Sequence, residues 1–377
     1  MTIENGVLEY QGCNFFKQRL ILSILSGKAI RIKNIRQSTG LRDFEISLIR
    51  LVDKITNGTQ IEINTTGTEI YFVPGFLEGG SLHHDCNNQR GIGYYLELLL
   101  ALGPFCKNPL KVILSGVTNS KECLSVDYIK YTMLPVLKRF LIVDDNLDIL
   151  INRRGLMPLG GGEVFFKCPV KKDFKAIQIV NYGKVNRIRG IVYSCKVPSS
   201  VMNRTVESAK GILLNFIPDI YIYTDQNKGK LSGKSPGYGI QLTAETTNGN
   251  LYSSEGVSEP LSNGKQNPTV PEDLGQTVAH KLLEEIYRSG CIDSAIQWIV
   301  ILFMALSQKD VSKFVTGTLS EYTVAMLQHL KEFFDITFKI NYHSNDSNEI
   351  GDKFNKYQTV SLTCVGIGYK NTNKRIT

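Results

Sequence analysis

The sequence predicts an α/β fold in which three tandem α+β units of βαβαββ type build a large domain that carries a small inserted α/β domain. Three observations predict it. Short alternating apolar runs of strand type interleave with helical periodicities along the chain. The order strand, helix, strand, helix, strand, strand recurs, as a structural repeat requires. One stretch after residue 184 breaks that order and ends in a polar segment.

In the first unit, residues 1–78, the residues Leu20, Ile21, Leu22, Ile24 and Leu25 make a short helix that Gly27 closes. Residues 29–35 alternate as a strand and 41–55 are helical. Residues 60–63 and 69–73 read as a hairpin turned at 65–68. The second unit, residues 79–184, repeats the order, with a helix around 91–102, a strand at 111–114, a helix over 126–140 and strands to Phe166. In the third, residues 271–377, helices over 274–287 and 320–334 flank strands near 313–315 and 336–340. Asp273 with Gln276 resembles a capping box, and Gly290 can end that helix.

The inserted domain, residues 185–270, starts with a strand at 190–197. A helix from Ser200 follows, carrying Met202, Val206, Ala209, Leu213 and Phe216 on one face, with Pro218 at its end. Residues 220–223 form a strand, 225–238 a loop rich in Gly, Lys and Ser, and 239–246 another strand. The polar residues 258–267 suit an exit linker.

Composition narrows the class. The chain has 377 residues, and 43 Lys and Arg against 35 Asp and Glu give a charge of +8. That excess is spread along the sequence and favours anionic partners mildly. Eight cysteines stand singly with no C-x-x-C pair, as reduced core thiols do, and the amino terminus lacks a charged-then-apolar leader. The longest apolar runs, such as residues 299–306, fall short of the roughly 20 residues of a membrane helix. These features describe an intracellular soluble protein with no dense basic nuclear signal.

One motif is specific. Arg154-Gly155-Leu156-Met157-Pro158-Leu159-Gly160-Gly161-Gly162-Glu163-Val164 fits the pattern R-G-x-x-P-x-G-G-G-x-V. Its glycines permit positive φ and close backbone approach at a turn into a strand. With Ser26-Gly27-Lys28-Ala29-Ile30, Asp127-Tyr128-Ile129, Arg189-Gly190-Ile191 and Ser235-Pro236-Gly237-Tyr238-Gly239, the chain resembles the RNA 3'-terminal phosphate cyclase superfamily over most of its length.

Cyclases of that superfamily use a histidine to attack the α-phosphate of ATP and pass AMP to an RNA 3'-phosphate. Against their P-S-x-H-x-x-T-N pattern this chain reads Leu319-Ser320-Glu321-Tyr322-Thr323-Val324-Ala325-Met326, so Tyr322 stands where the histidine belongs. A phenol of pKa about 10 is a poor substitute. His329 sits two helical turns on, roughly 10 Å away, too far for the same site. The first glycine-rich loop is replaced by Tyr10-Gln11-Gly12-Cys13-Asn14-Phe15-Phe16-Lys17, and a second by Asn87-Asn88-Gln89-Arg90-Gly91. Bulky side chains stand where phosphates need backbone, so no nucleotide cofactor is expected.

These departures resemble the eukaryotic cyclase-like subclass. The resemblance implies a nuclear, nucleolar factor of the small-subunit processome, bound to a translation-factor-like ribosome-assembly GTPase and to pre-rRNA. It implies early pre-rRNA cleavages and 40S subunit biogenesis as the process served. Lys17, Arg19, Arg36, Arg42, Arg90 and Arg154 fall in the segments of the cyclase cleft and are the phosphate or RNA candidates. Tyr221 and Tyr223 with Lys228, Lys230 and Lys234 form a second possible RNA face. His83-His84-Asp85-Cys86 offers four metal-ligating types in a row, but adjacent side chains cannot converge on one ion, so no metal is expected. Asp144 and Asp145, with Asp148, could hold Mg²⁺ for an endonuclease. The expectation is a scaffold without cyclase chemistry, with a pre-rRNA endonuclease as the rival and a residual cyclase the weakest alternative.

Overall fold

The computed structural model describes residues 3–4, 6–141, 146–260, 268–343 and 359–373. The first unit starts with β1 (Ile3–Glu4) beside β2 (Val7–Gln11), followed by α1 (Phe16–Ser26), β3 (Ile30–Lys33) and α2 (Asp43–Ile55). The short β4 (Thr56–Asn57), the hairpin β5 (Gln60–Ile63) and β6 (Ile70–Val73), and β7 (Phe76–Leu77) complete it. Gly27 closes α1 in the left-handed region at φ 72°, as glycine does without strain.

The second unit runs β8 (Gly79–Asp85), α3 (Ile92–Leu102) and β9 (Asn108–Gly116), then a helix with α4 (Val126–Tyr128), a π turn (Ile129–Met133) and α5 (Leu134–Lys138). Pro135 has no N–H to donate back, and the helix widens just before it. The hairpin β10 (Asp148–Arg153) and β11 (Gly162–Cys168) ends the unit.

A two-residue strand, β12 (Gln178–Ile179), comes next, before the smaller domain. That domain holds β13 (Val185–Cys195), α6 (Ser199–Leu213), β14 (Ile220–Asn227), β15 (Gly237–Thr246), β16 (Leu251–Val257) and α7 (Pro271–Arg288). The chain then returns with α8 (Gln297–Leu306), β17 (Val311–Thr316), α9 (Glu321–Phe334), β18 (Lys339–His343) and β19 (Thr359–Val365).

Strand pairing reveals the repeat. In the first unit β2 is parallel to β3, which is antiparallel to β6, itself antiparallel to β5. The same relations link β8, β9, β11 and β10, and again β12, β17, β19 and β18. The third unit therefore owns β12, and the smaller domain interrupts it between its first strand and its first helix.

Three expectations change. α7 was read as the opening helix of the third unit, but Leu274, Val278, Ala279 and Leu282 pack with Met202, Ala209 and Leu213 of α6 in the smaller domain's core. Periodicity marks a helix's apolar face and is silent on which sheet that face meets. α7 also begins at Pro271 with Val270 as its cap, so Asp273 and Gln276 form no capping box. In α6 the buried face stops at Leu213, and Phe216 lies beyond it, exposed. The exit segment 258–267 lies largely outside the described residues.

One core joins the three units. Along β9, Leu110, Val112 and Leu114 point inward at alternate positions. The first helices α1, α3 and α8 are buried along essentially their whole length, which explains why α3 and α8 are apolar on every side. All eight cysteines are free thiols, six of them buried. No helix among the described residues is long and apolar enough to cross a membrane.

Candidate functional site

A cleft of about 690 Å³ opens over the loops that follow the first and second strands of the units. Lys17, Arg36, Arg90 and Tyr322 line it together, so four of the positions read from sequence do converge. Their side chains are already engaged by the protein.

Lys17 lies on α1 in contact with the Glu97 carboxylate of α3, its ammonium 4.7 Å from the Tyr94 ring centre and 5.8 Å from that of Trp298. Burial pushes the Lys17 pKa down to about 7, and the neighbouring Arg90 charge adds to that push. Arg36 forks onto Glu45 with two hydrogen bonds of 2.7 Å and gives a third to Gly40 O at 3.0 Å. Arg90 donates to Glu122 O at 2.9 Å and stacks 4.9 Å from the Phe44 ring centre. Lys121 at the rim pairs with Glu259 at 2.8 Å. Each cation here carries its own counter-ion, which leaves little field for a phosphate.

Aromatic rings fill the wall where a nucleophile would act. Tyr322 is in the first turn of α9, which Ser320 caps by accepting a hydrogen bond from Thr323 N at 3.2 Å. Its ring lies 5.8 Å from Phe15 and 5.7 Å from Trp298, and burial pushes its phenol pKa above the ordinary value. The proton therefore stays on. Phe15 adopts φ 58°, a backbone that glycine takes freely and that costs a larger residue about 1–2 kcal/mol. The loop keeps a glycine-type bend while its side chain occupies the opening.

His329 is no substitute. It is buried with Nδ1 3.1 Å from Gln18 Oε1, edge-on to Tyr10, and desolvation beside Arg19 pushes its pKa down to about 4. Arg19 is buried too: it covers the Tyr10 ring at 4.5 Å, donates to Gly12 O at 2.9 Å, and leaves Nε without a partner among the described residues. It is not a cleft residue. Arg42 is exposed beside a neighbouring recess of about 620 Å³ that also touches Gln89, Arg90 and Met157.

Arg154 leaves the phosphate candidates most clearly. It is 4% exposed, bonds Asp127 at 2.6 and 2.9 Å and Asp225 at 2.7 Å, and stacks 4.5 Å from the Tyr193 ring centre. Asp127 belongs to the second unit, and Asp225 and Tyr193 to the smaller domain. The guanidinium fork thus ties the two domains together. The glycine run after it serves the same seam. Gly233 N donates to Arg154 O at 2.6 Å and Lys234 N to Gly160 O at 2.9 Å. A Cβ on Gly155 would meet Gly162 N at 2.2 Å, and one on Gly233 would meet Gly160 O at 2.5 Å. Only glycine permits these backbones to touch.

Other candidates separate. His83 and His84 point to opposite faces of β8: His83 is exposed, 2.9 Å from Ser115 Oγ, whereas His84 is buried 3.0 Å from Ser47 Oγ. Asp144 and Asp145 lie outside the described residues, and Asp148 begins β10. Tyr221 and Tyr223 are exposed on the edge strand β14, 4.5 Å apart, beside exposed Lys228 and Lys230. Sequence reading missed Glu97, Trp298 and Glu255. Glu255, at the cleft wall, accepts from Ser125 N at 3.0 Å, and burial pushes its pKa up to about 7. The one signal available was the single tryptophan in an apolar helix.

The profile of the family described as RNA 3'-terminal phosphate cyclase matches residues 8–340. The chain belongs to that family. Within it, the chain is 56% identical over 377 residues to the Drosophila melanogaster "Probable RNA 3'-terminal phosphate cyclase-like protein", covering 99% of this chain and 98% of that one. The Homo sapiens "RNA 3'-terminal phosphate cyclase-like protein" is 53% identical over 379 residues, covering both chains completely. The Schizosaccharomyces pombe "rRNA processing protein rcl1" is 40% identical, covering 97% of this chain and 98% of its own. The family match thus spans the whole cleft, including Tyr322, Phe15 and the Lys17–Glu97 pair.

Proposed function

We propose that this chain is a non-cyclising factor in rRNA processing. In this reading it works in the small-subunit processome of the nucleolus, where early pre-rRNA cleavages release the small-subunit rRNA for 40S subunit biogenesis. It acts as a scaffold between a translation-factor-like GTPase and pre-rRNA. The observation that carries the reading is the occupied cleft: a protonated phenol stands at the nucleophile's place, walled by Phe15 and Trp298. A family scaffold kept intact without its chemistry suits binding. The fission yeast relative's name as an rRNA processing protein supports rRNA processing as the process served.

Depletion in cells that carry the chain tests this. The expected result is accumulation of uncleaved small-subunit precursor, reversed equally by the wild type and by Tyr322→Phe, because no step needs the phenol oxygen. Normal precursor cleavage on depletion, or rescue that fails with Tyr322→Phe alone, would overturn the reading.

A further inference from the structure

The cations at the cleft are paired, yet the chain carries an excess of positive charge. Much of what remains free converges elsewhere. In the second and third units the cleft loops follow the first and second strands. Lys107 lies at the other end, between α3 and β9, and Lys309 likewise between α8 and β17. Lys172 and Lys175 lie between β11 and β12, and Lys370 follows β19. All five are exposed, and none is in an ion pair among the described residues.

Backbone bonds hold these loops side by side. The buried Asn371 donates from Nδ2 to Cys106 O and Lys171 O, each at 3.1 Å, and to Pro104 O at 3.4 Å. Asn371 N donates to Lys172 O at 3.0 Å. Gly368 N reaches Ser307 O at 2.8 Å, and Gln308 N reaches Phe174 O at 2.9 Å. Four loops, far apart in sequence, are therefore fixed side by side, and each carries at least one exposed lysine. Carboxylates in or beside these loops are Asp173, Asp310 and the exposed Glu78, whose backbone carbonyl accepts from Asn108 N at 2.9 Å; Asp310 accepts from Val311 N at 2.7 Å.

We propose that this lysine face, at the opposite end of the three-unit domain from the cleft, binds the phosphate backbone of RNA. Like charges held together repel one another unless a polyanion neutralises them. Lysines meet phosphates as point charges without the planar fork that reads bases, so the contact is sequence-independent. The assignment rests on the reading that the chain contacts pre-rRNA and names the surface that does so.

Fluorescence anisotropy of a labelled oligouridylate with the full chain tests it. The variant K107Q/K172Q/K309Q/K370Q changes only exposed side chains, and a circular dichroism melt checks its fold. It should bind at least tenfold more weakly. Its slope of log affinity against log salt should be shallower by about 3, near 0.7 for each lost phosphate contact. A charge-matched variant at Lys54, Lys184, Lys281 and Lys331 should stay within about twofold of wild type. Equal binding by the four-lysine variant would overturn the assignment and leave the RNA reading standing. So would loss confined to an Arg42→Gln, Arg90→Gln variant, which would put RNA at the cleft. Failure of the wild type to bind oligouridylate at low salt, or preference for oligoglutamate, would overturn both.

Discussion

Replacing Arg154 by Ala removes the guanidinium that joins the second unit to the smaller domain. Asp127, 1% exposed, would then keep the Asn119 amide at 2.9 Å as a donor but lose both bonds of the fork. Breaking a buried pair from one side strands a charge and costs about 3–5 kcal/mol, against about 1 kcal/mol or less for an exposed pair. Restoring neutrality with Asp127→Asn and Arg154→Met together should recover much of the loss. The sign with pH follows. Burial would raise the Asp127 carboxyl, but Arg154 outweighs it and holds the pKa below the ordinary value. The pair's contribution is thus complete above about pH 4, the unfolded range, and is lost as pH falls through the depressed folded value. Urea unfolding followed by far-ultraviolet circular dichroism, at neutral pH and in acid, measures this on the wild type, both single variants and the double. A loss under about 1 kcal/mol at pH 7, or an equal loss in the Asp127→Asn background, would refute the seam as described.

Buried His84 and His329, both pushed down to about 4, bind fewer protons folded than unfolded. Stability should therefore fall from pH 7 to pH 4, by up to about 3 kcal/mol for each, and His329→Gln should flatten the curve. Glu255 has the opposite sign: its pKa of about 7 lies above the unfolded value, so its contribution is present in acid and lost as pH rises through 7. Glu255→Gln should gain on the wild type above pH 7, approaching about 3 kcal/mol at most in thermal or urea unfolding. Gly155→Ala forces backbone apart at Gly162 and Gly116, and should cost about 1–3 kcal/mol or more by the same measurement. Tyr322→His alone should form no adenylate with α-labelled ATP, because Phe15 and the Lys17–Glu97 pair still fill the cleft.

The repeat was legible because element order survives without residue identity: helices at α2 and α3 and the β5–β6 hairpin stand where periodicity and turn residues put them. The strands β2, β8 and β16 escaped notice. β8 reads Gly-Gly-Ser-Leu-His-His-Asp, and only its partners in the sheet make that polar run a strand. α7 was legible as a helix but not by allegiance, since the same stripe of Leu274, Val278 and Leu282 could face either domain. At the site, Lys17, Arg36, Arg90 and Tyr322 were placed together by family resemblance. What composition could not show was pairing: Glu97 and Glu122 reach Lys17 and Arg90 through tertiary contacts from distant positions, and Glu45 reaches Arg36 from the helix that follows it. Arg154 misled for the same reason, because an arginine in a motif looks identical whether it faces a phosphate or a buried aspartate.

Above all, we propose that this cyclase-family chain has no cyclase chemistry. Incubating the full chain with α-labelled ATP, Mg²⁺ and an RNA ending in a 3'-phosphate reads that claim at both steps. The predicted result is no labelled protein and an RNA end that stays open to phosphatase. A covalent adenylate on the protein, with conversion of the end to a phosphatase-resistant cyclic phosphate, would contradict it.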